Sequence, residues 1–266
     1  MDVNKDVKNW LEMIKQSKSS NTYALYKMVI HQIIGEFGSP DHWGDSTINS
    51  FLEWCAGREN SLSTRNTKLQ VIRSFIKSMG LDILVPEQVS HPSPNPKVAS
   101  VDNVKALVGK LKGKYRLALL LMADAGLREA EVRHLRWDDV DDMLTIYGKG
   151  NKIRMIPIAT ERLSNALKQG QNNGNKYVVS NGNGSPICSG WLSKKIAKVS
   201  EELGIGRLTA HSFRHQFAAR AVRRGVPVKA IQVALGHSNL VTTDHYLRSL
   251  VGNNEFLEKS FECFDV

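Results

Sequence analysis

Residues 143–158 read MLTIYGKGNKIRMIPI, and here the helical pattern of the chain gives way to alternation. Two short β-runs, Met143 to Tyr147 and Ile153 to Ile158, flank Gly148-Lys149-Gly150-Asn151-Lys152, which reads as a hairpin turn with Lys149 near its tip. Apolar spacing on either side of the hairpin is helical. Ser100 looks like the cap of a helix running to about Leu111. Tyr115 to Ala125 forms an apolar helix, and Gly126 lets the chain turn sharply before Arg128. Helices are expected at about 189–203, 211–224, 227–235 and 239–249, with a last one near 254–263, and Tyr177 to Ser180 is a candidate third strand. This makes 100–266 a mixed α+β, mainly helical domain with a small β-hairpin or sheet.

Upstream, Pro86, Pro92, Pro94 and Pro96 with Ser90, Ser93 and Asn95 make an extended connector over 84–99. Residues 1–83 read as an all-α bundle of four short helices. Val7, Trp10, Leu11 and Ile14 mark the first apolar face, and Leu69, Ile72, Phe75, Ile76 and Met79 the last, capped around Ser61 and closed by Gly80. Arg65 and Lys68, read as the first turn of that fourth helix, oppose its dipole, which makes them candidate phosphate contacts; a solvated surface explains them equally well.

At 266 residues, 41% hydrophobic and 23% charged, the composition is that of an ordinary globular protein with room for two cores. The formal net charge is +10. Residues 1–99 hold 11 Lys+Arg against 10 Asp+Glu, and the remainder 25 against 16, so the excess lies in the second domain. A polyanion is the expected partner. Cys55, Cys188 and Cys263 follow no metal-like spacing. There is no apolar leader or membrane-length run, so a cytoplasmic protein with no membrane partner is expected.

Four stretches of the second domain carry reactive side chains in a fixed order. They are Ala-Gly-Leu-Arg-Glu-Ala-Glu at 125–131, Gly-Lys-Gly-Asn-Lys at 148–152, His-Ser-Phe-Arg-His at 211–215 and Leu-Gly-His…Tyr at 235–246. Arginine suits a phosphodiester because its planar fork donates two parallel hydrogen bonds and stays charged. Arg128 and Arg214 are candidates for such a clamp. His211 and Arg214 share one helix face at a spacing of three. Glu131, three residues from Arg128, is expected to orient a neighbouring side chain, and Lys152 is a further candidate DNA contact. Taken singly, each is ordinary: a tyrosine at a helix end usually packs, and Arg220, Arg223 and Arg224 usually form a solvated face. Their joint occurrence in order points to phosphoryl chemistry.

In order and spacing these motifs resemble the tyrosine recombinase (phage integrase-type) family, over nearly the whole chain. Ala125, Glu129 and Phe213 depart from the commonest pattern without removing a reacting group. The resemblance implies Arg128, Lys149, His211, Arg214, His237 and Tyr246 as the catalytic set, with Tyr246 as nucleophile, Lys149 as general acid and no cofactor, ATP or metal. It implies double-stranded DNA carrying specific recombination sites as partner. It also implies a homo-tetramer on DNA from a monomer or weak oligomer when free, strand exchange through a Holliday junction, and a core-binding (SAM-like) role for 1–83. A Xer-like resolver and a small mobile-element integrase share this chemistry. A tail stripe of Phe256, Leu257, Phe261 and Phe264 fits an ordinary helix on its own core or one docked on a neighbouring protomer, and the resemblance implies the second. Two other classes stay open: a non-cutting DNA-binding accessory protein, and a metal-dependent hydrolase using His211 and His215, although the Glu of a His-Glu-x-x-His motif is absent.

Overall fold

The computed structural model describes residues 3–89, 98–148, 152–171 and 174–236. The chain divides into two compact units, Met1–Ser93 and Pro94–Val266.

The first unit is built from α1 (Val3–Ser17), α2 (Ser20–Phe37), α3 (Asp45–Gly57) and α4 (Leu62–Met79). Serines start two of these helices: Ser19 accepts from the Thr22 N–H and Ser61 from the Thr64 N–H. Gly80 ends α4 in the left-handed region at φ 64°, donating its N–H to Ile76 O. Trp10, Ile33, Ile48, Phe51 and Phe75 fill the core, with Trp10 set edge-on to Phe75 at 5.0 Å. Residues 84–89, read from sequence as the start of a connector, lie along this unit. Asp45 accepts from the Leu84 N–H, Arg73 donates to Pro86 O and Asn66 to Val89 O.

Lys68 departs from its expected role. It lies in the second turn of α4 and is only 5% exposed. Its Nζ is 3.6 Å from Cys55 Sγ and sits over the Phe51 and Trp54 rings. The helical repeat that turns Ile72 and Phe75 inward takes Lys68 with it, so it does not present its charge to a phosphate. Arg65 is half-buried on the same helix.

In the second unit, α5 (Val101–Lys110) starts at Ser100, which accepts from the Asn103 N–H. Next comes α6 (Gly113–Ala125), buried from Leu117 to Ala125 and packed against α5, α8 (Glu161–Gly170) and α10 (Ala210–Arg223). Between α6 and α8 lie α7 (Glu129–His134) and the antiparallel pair β1 (Met143–Tyr147) and β2 (Ile153–Pro157). Leu144 pairs with Ile156, Ile146 with Arg154 and Tyr147 with Ile153. Then come α9 (Trp191–Glu202), α10 and α11 (Val228–Leu235).

Three expectations are corrected here. Tyr177 to Ser180 adds no third strand; Tyr177 and Ser180 make only isolated bridges, to Arg136 and Pro186. The short amphipathic helices α7 and α8 were not expected at all. Arg220 is not a solvated side chain of α10, for it donates to Asp124 Oδ1 and to Ala123 O. No helix among the described residues is long and apolar enough to cross a membrane. The helices expected at 239–249 and 254–263, and the tail stripe, lie outside the described residues.

Candidate active site

The site begins where α6 stops. Gly126 adopts φ 68°, and a Cβ there would lie 2.7 Å from the Phe217 ring, so both backbone and packing require glycine. The reversal delivers Arg128 to the N-cap of α7, where Glu131 reaches back to accept from the Arg128 backbone N–H at 2.8 Å. That backward reach buries the Glu131 carboxylate, 7% exposed, among arginines from three different elements.

Arg128 Nη1 donates to Glu131 Oε1 at 2.9 Å. Arg154, on β2, grips both carboxylate oxygens, at 3.0 and 2.7 Å. Arg214, on α10, brings Nη1 to 3.9 Å from Oε2. Burial alone would raise the pKa of Glu131. The Arg154 hydrogen bonds, the Arg128 backbone N–H and the two positive charges outweigh it and hold the carboxyl below 4.5. One carboxylate thus meets three guanidinium groups, and the surplus positive charge faces a cleft of about 980 Å³ lined by Arg128, Arg154, His211, Arg214 and Lys152.

The same three arginines share a second anchor. Arg154 Nε donates to Ala234 O at 2.8 Å, Arg214 Nη2 to Leu235 O, and Arg128 Nη2 to Gly236 O at 3.0 Å. These are successive carbonyls at the end of α11, where a helix has acceptors without internal partners and a negative dipole end. Gly236 closes α11 at φ 62°, and a Cβ there would lie 2.9 Å from Arg154 Nη1. Arg214 also donates to Gly126 O at 2.5 Å and is 1% exposed. Arg128, 36% exposed, is the member of the trio that reaches the cleft most openly.

His211, one turn before Arg214 on α10, keeps an exposed edge on this cleft. Desolvation by the cleft wall, then the charges on Arg214 and Arg128, hold its imidazole below the ordinary 6.5, so it is neutral and able to take a proton near pH 7. His215 stands edge-on to it at 4.7 Å. Among the described residues no group of three or more His, Cys, Asp or Glu is placed to hold a metal ion, so the hydrolase reading gains no ligand set from this pair.

Sequence reading had placed Arg128, His211, Arg214 and Glu131 in the site, and the fold brings these four together. Lys152, exposed, lies on the cleft wall, where its carbonyl accepts from the Gly148 N–H at 2.8 Å to close the hairpin. Arg65 belongs to the other unit. Lys149, His237 and Tyr246 lie outside the described residues. Arg154 was missed. Its signal was parity: Ile156 faces inward on β2, so Arg154, two residues earlier, must as well. The three departures from the commonest motif prove to be local packing. Ala125 and Phe213 are fully buried, and Glu129 accepts from Ser193 Oγ at 2.6 Å.

The arrangement resembles known proteins. The model of the phage integrase family matches residues 97–252. The tyrosine recombinase XerA of Pyrococcus horikoshii is 32% identical, over 93% of this chain and 89% of the relative. Among solved structures, a lambda integrase dimer bound to a COC′ core site superposes with a TM-score of 0.77 at 16% identity, over 92% of this chain and 95% of that one. A lambda integrase tetramer bound to a Holliday junction gives 0.73 at 16%, over 89% and 77%. At such identities the two structural matches speak for the fold.

Proposed function

The chain belongs to the phage integrase family; it is a site-specific tyrosine recombinase, and we propose how its residues divide the work. Arg128 and Arg214 bind the non-bridging oxygens of the scissile phosphate, whose negative charge would otherwise repel a nucleophile. The Tyr246 phenol attacks phosphorus, and the bond from phosphorus to the 5′-oxygen breaks. A 3′-phosphotyrosyl link remains on one side and a 5′-hydroxyl on the other. Neutral His211 takes the phenolic proton, Lys149 supplies the proton that the leaving oxygen needs, and His237 hydrogen-bonds the phosphate. The phosphotyrosine keeps the bond energy, so rejoining by a 5′-hydroxyl of another strand needs no ATP.

The observation that carries this reading is the cation surplus around Glu131. Three arginines converge on one carboxylate, two of them flanking a neutral histidine, and the excess charge opens to a cleft. A phosphodiester, with its single negative charge, offsets part of that surplus. In this reading 100–266 is the catalytic domain, 84–99 the linker and 1–83 the core-binding domain, with Arg65 a candidate contact there. The substrate is duplex DNA bearing specific sites, recombined by a homo-tetramer through a Holliday junction in the cytoplasm. Dimer resolution and mobile-element integration are both served by this chemistry.

The test is covalent capture on a nicked duplex that traps the intermediate, without divalent cation. Wild-type protein is expected to give a denaturation-resistant DNA adduct, and Tyr246→Phe to bind duplex while giving none. An adduct of undiminished yield from Tyr246→Phe would remove Tyr246 as the nucleophile. Binding without any adduct from the wild-type protein would favour the accessory-protein reading.

A further inference from the structure

We propose that Arg154 is a positioning residue for strand cleavage: by occupying both oxygens of Glu131, it keeps that carboxylate from drawing the Arg128 guanidinium out of the cleft. The inference rests on the recombinase reading above.

The argument starts from where Arg154 sits. Its side chain is 8% exposed, at an inward position of a two-stranded sheet whose neighbouring inward residues are Leu144, Ile146 and Ile156. Replacing the whole Arg154–Glu131 pair by well-packed apolar residues would be neutral or favourable for stability, because burying a charge is costly even when it is paired. The charge therefore calls for a task beyond packing.

Its bonding defines that task. Two guanidinium nitrogens meet the two Glu131 oxygens and the third donates to Ala234 O. A bidentate fork of this kind is the strongest hold an arginine has on a carboxylate. Arg128, by contrast, touches Glu131 through one side-chain nitrogen only, and its other terminal nitrogen goes to Gly236 O. With Arg154 in place, Glu131 is already satisfied, and Arg128 is steadied without being captured. Without it, Glu131 would have Arg128 as its nearest cation, and the fork would close on the one arginine most open to the cleft. The loss would also lower the positive potential that Arg214 and Arg128 present to a phosphate. Arg154 is thereby linked to three parts of the site at once: the hairpin that carries Lys149, the cap of α7, and the end of α11 just before His237.

The experiment uses the full chain with Arg154→Gln and Arg154→Lys, following single-turnover cleavage of a nicked duplex alongside duplex affinity and thermal unfolding. Arg154→Gln is expected to bind duplex with little change but to cleave on the order of 10²-fold more slowly, the scale of a misplaced catalytic group. Arg154→Lys, which keeps the charge and loses the fork, is expected to fall between. A methylphosphonate at the scissile position removes the charge that Arg128 serves, so it should restore Arg154→Gln to within a few-fold of wild type, as it should Arg128→Ala. Adding Glu131→Gln to Arg154→Gln should recover part of the rate on ordinary DNA, because no carboxylate is then left to capture Arg128.

Wild-type cleavage by Arg154→Gln would overturn the proposal. An equal defect on phosphate and methylphosphonate would overturn it too, leaving Arg154 as a packing residue; thermal unfolding would show whether the fold was lost. Absence of any covalent product from the wild-type protein would instead defeat the recombinase reading, a result of a different kind.

Discussion

Two carboxylates, Asp124 and Glu131, flank the Gly126 turn, both buried and both bound by arginines, yet they do different work. Asp124 at the end of α6 accepts from Arg162 at 2.7 and 2.5 Å, from Thr160 at 2.9 Å and from Arg220 at 3.2 Å. None of these residues lines the cleft. Around Glu131 the arginines arrive just as tightly, but all three line the cleft and Arg128 opens to it. Burial pushes both carboxyls up, and in both the cations more than reverse it, so the ionisation of the acid does not distinguish the clusters. The distinction lies in where the surplus charge points. Held away from the cleft it fastens α8 and α10 to α6; directed at a cavity it makes an anion site.

Breaking the first cluster should be the costlier change for the fold. Asp124→Asn leaves two arginines facing a lost charge and should cost about 3–5 kcal/mol of stability in denaturant titration. Cleavage by the folded fraction should change only a few-fold. Since the Asp124 pKa lies below 3.8 when folded, its contribution is full above that value and lost as pH falls through the folded pKa, so wild type and variant should converge in strong acid. Arg128→Ala tests the second cluster: single-turnover cleavage should fall about 10²–10³-fold, with a smaller stability loss than Asp124→Asn. The reverse ranking of the two variants would dissolve the contrast.

His211 refines the picture on the cleft side. Its lowered pKa predicts that wild-type cleavage rates decline below pH 6.5, as the imidazole gains a proton. His211→Gln should be slower by roughly 10²-fold at neutral pH and lack that acid limb. An unchanged pH profile in the variant would move proton transfer to another group. The smallest effect belongs to Arg220→Gln. Arg162 still holds Asp124, so thermal unfolding should report a loss of about 1 kcal/mol, with cleavage untouched.

Much of this was visible in the residues alone. Serines at 61 and 100 announce helix starts, Gly126 its turn, and the alternation of 143–158 its hairpin, because caps, left-handed turns and strand faces are set by a few adjacent residues. Arg128, His211 and Arg214 could be picked out by the motifs that carry the family resemblance, and Glu131 by standing three residues after Arg128, where a cap partner reaches back. What sequence hid were partners joined only by the fold. Asp124 in an otherwise apolar run signals a buried charge in need of a cation, yet Arg162 and Arg220 lie on distant helices. Arg154 is hidden in sequence because the flanking Ile153 and Met155 are as apolar as Ile156, and only the burial of Leu144, Ile146 and Ile156 fixes which face it shares. Lys68 was misplaced for a similar reason: a lysine reads as surface until the helical repeat is followed through to Ile72.

The three cleft arginines reach the end of α11 through the carbonyls of Ala234, Leu235 and Gly236, and Arg214 also reaches Gly126 O. Main-chain oxygens are present whatever side chain a position carries. Along a lineage of such proteins, Ala234 and Leu235 are therefore free to drift in identity, within the space their packing allows, without any arginine losing its anchor. Position 236 has no such latitude, because a methyl group there would strike Arg154 before any acceptor was lost.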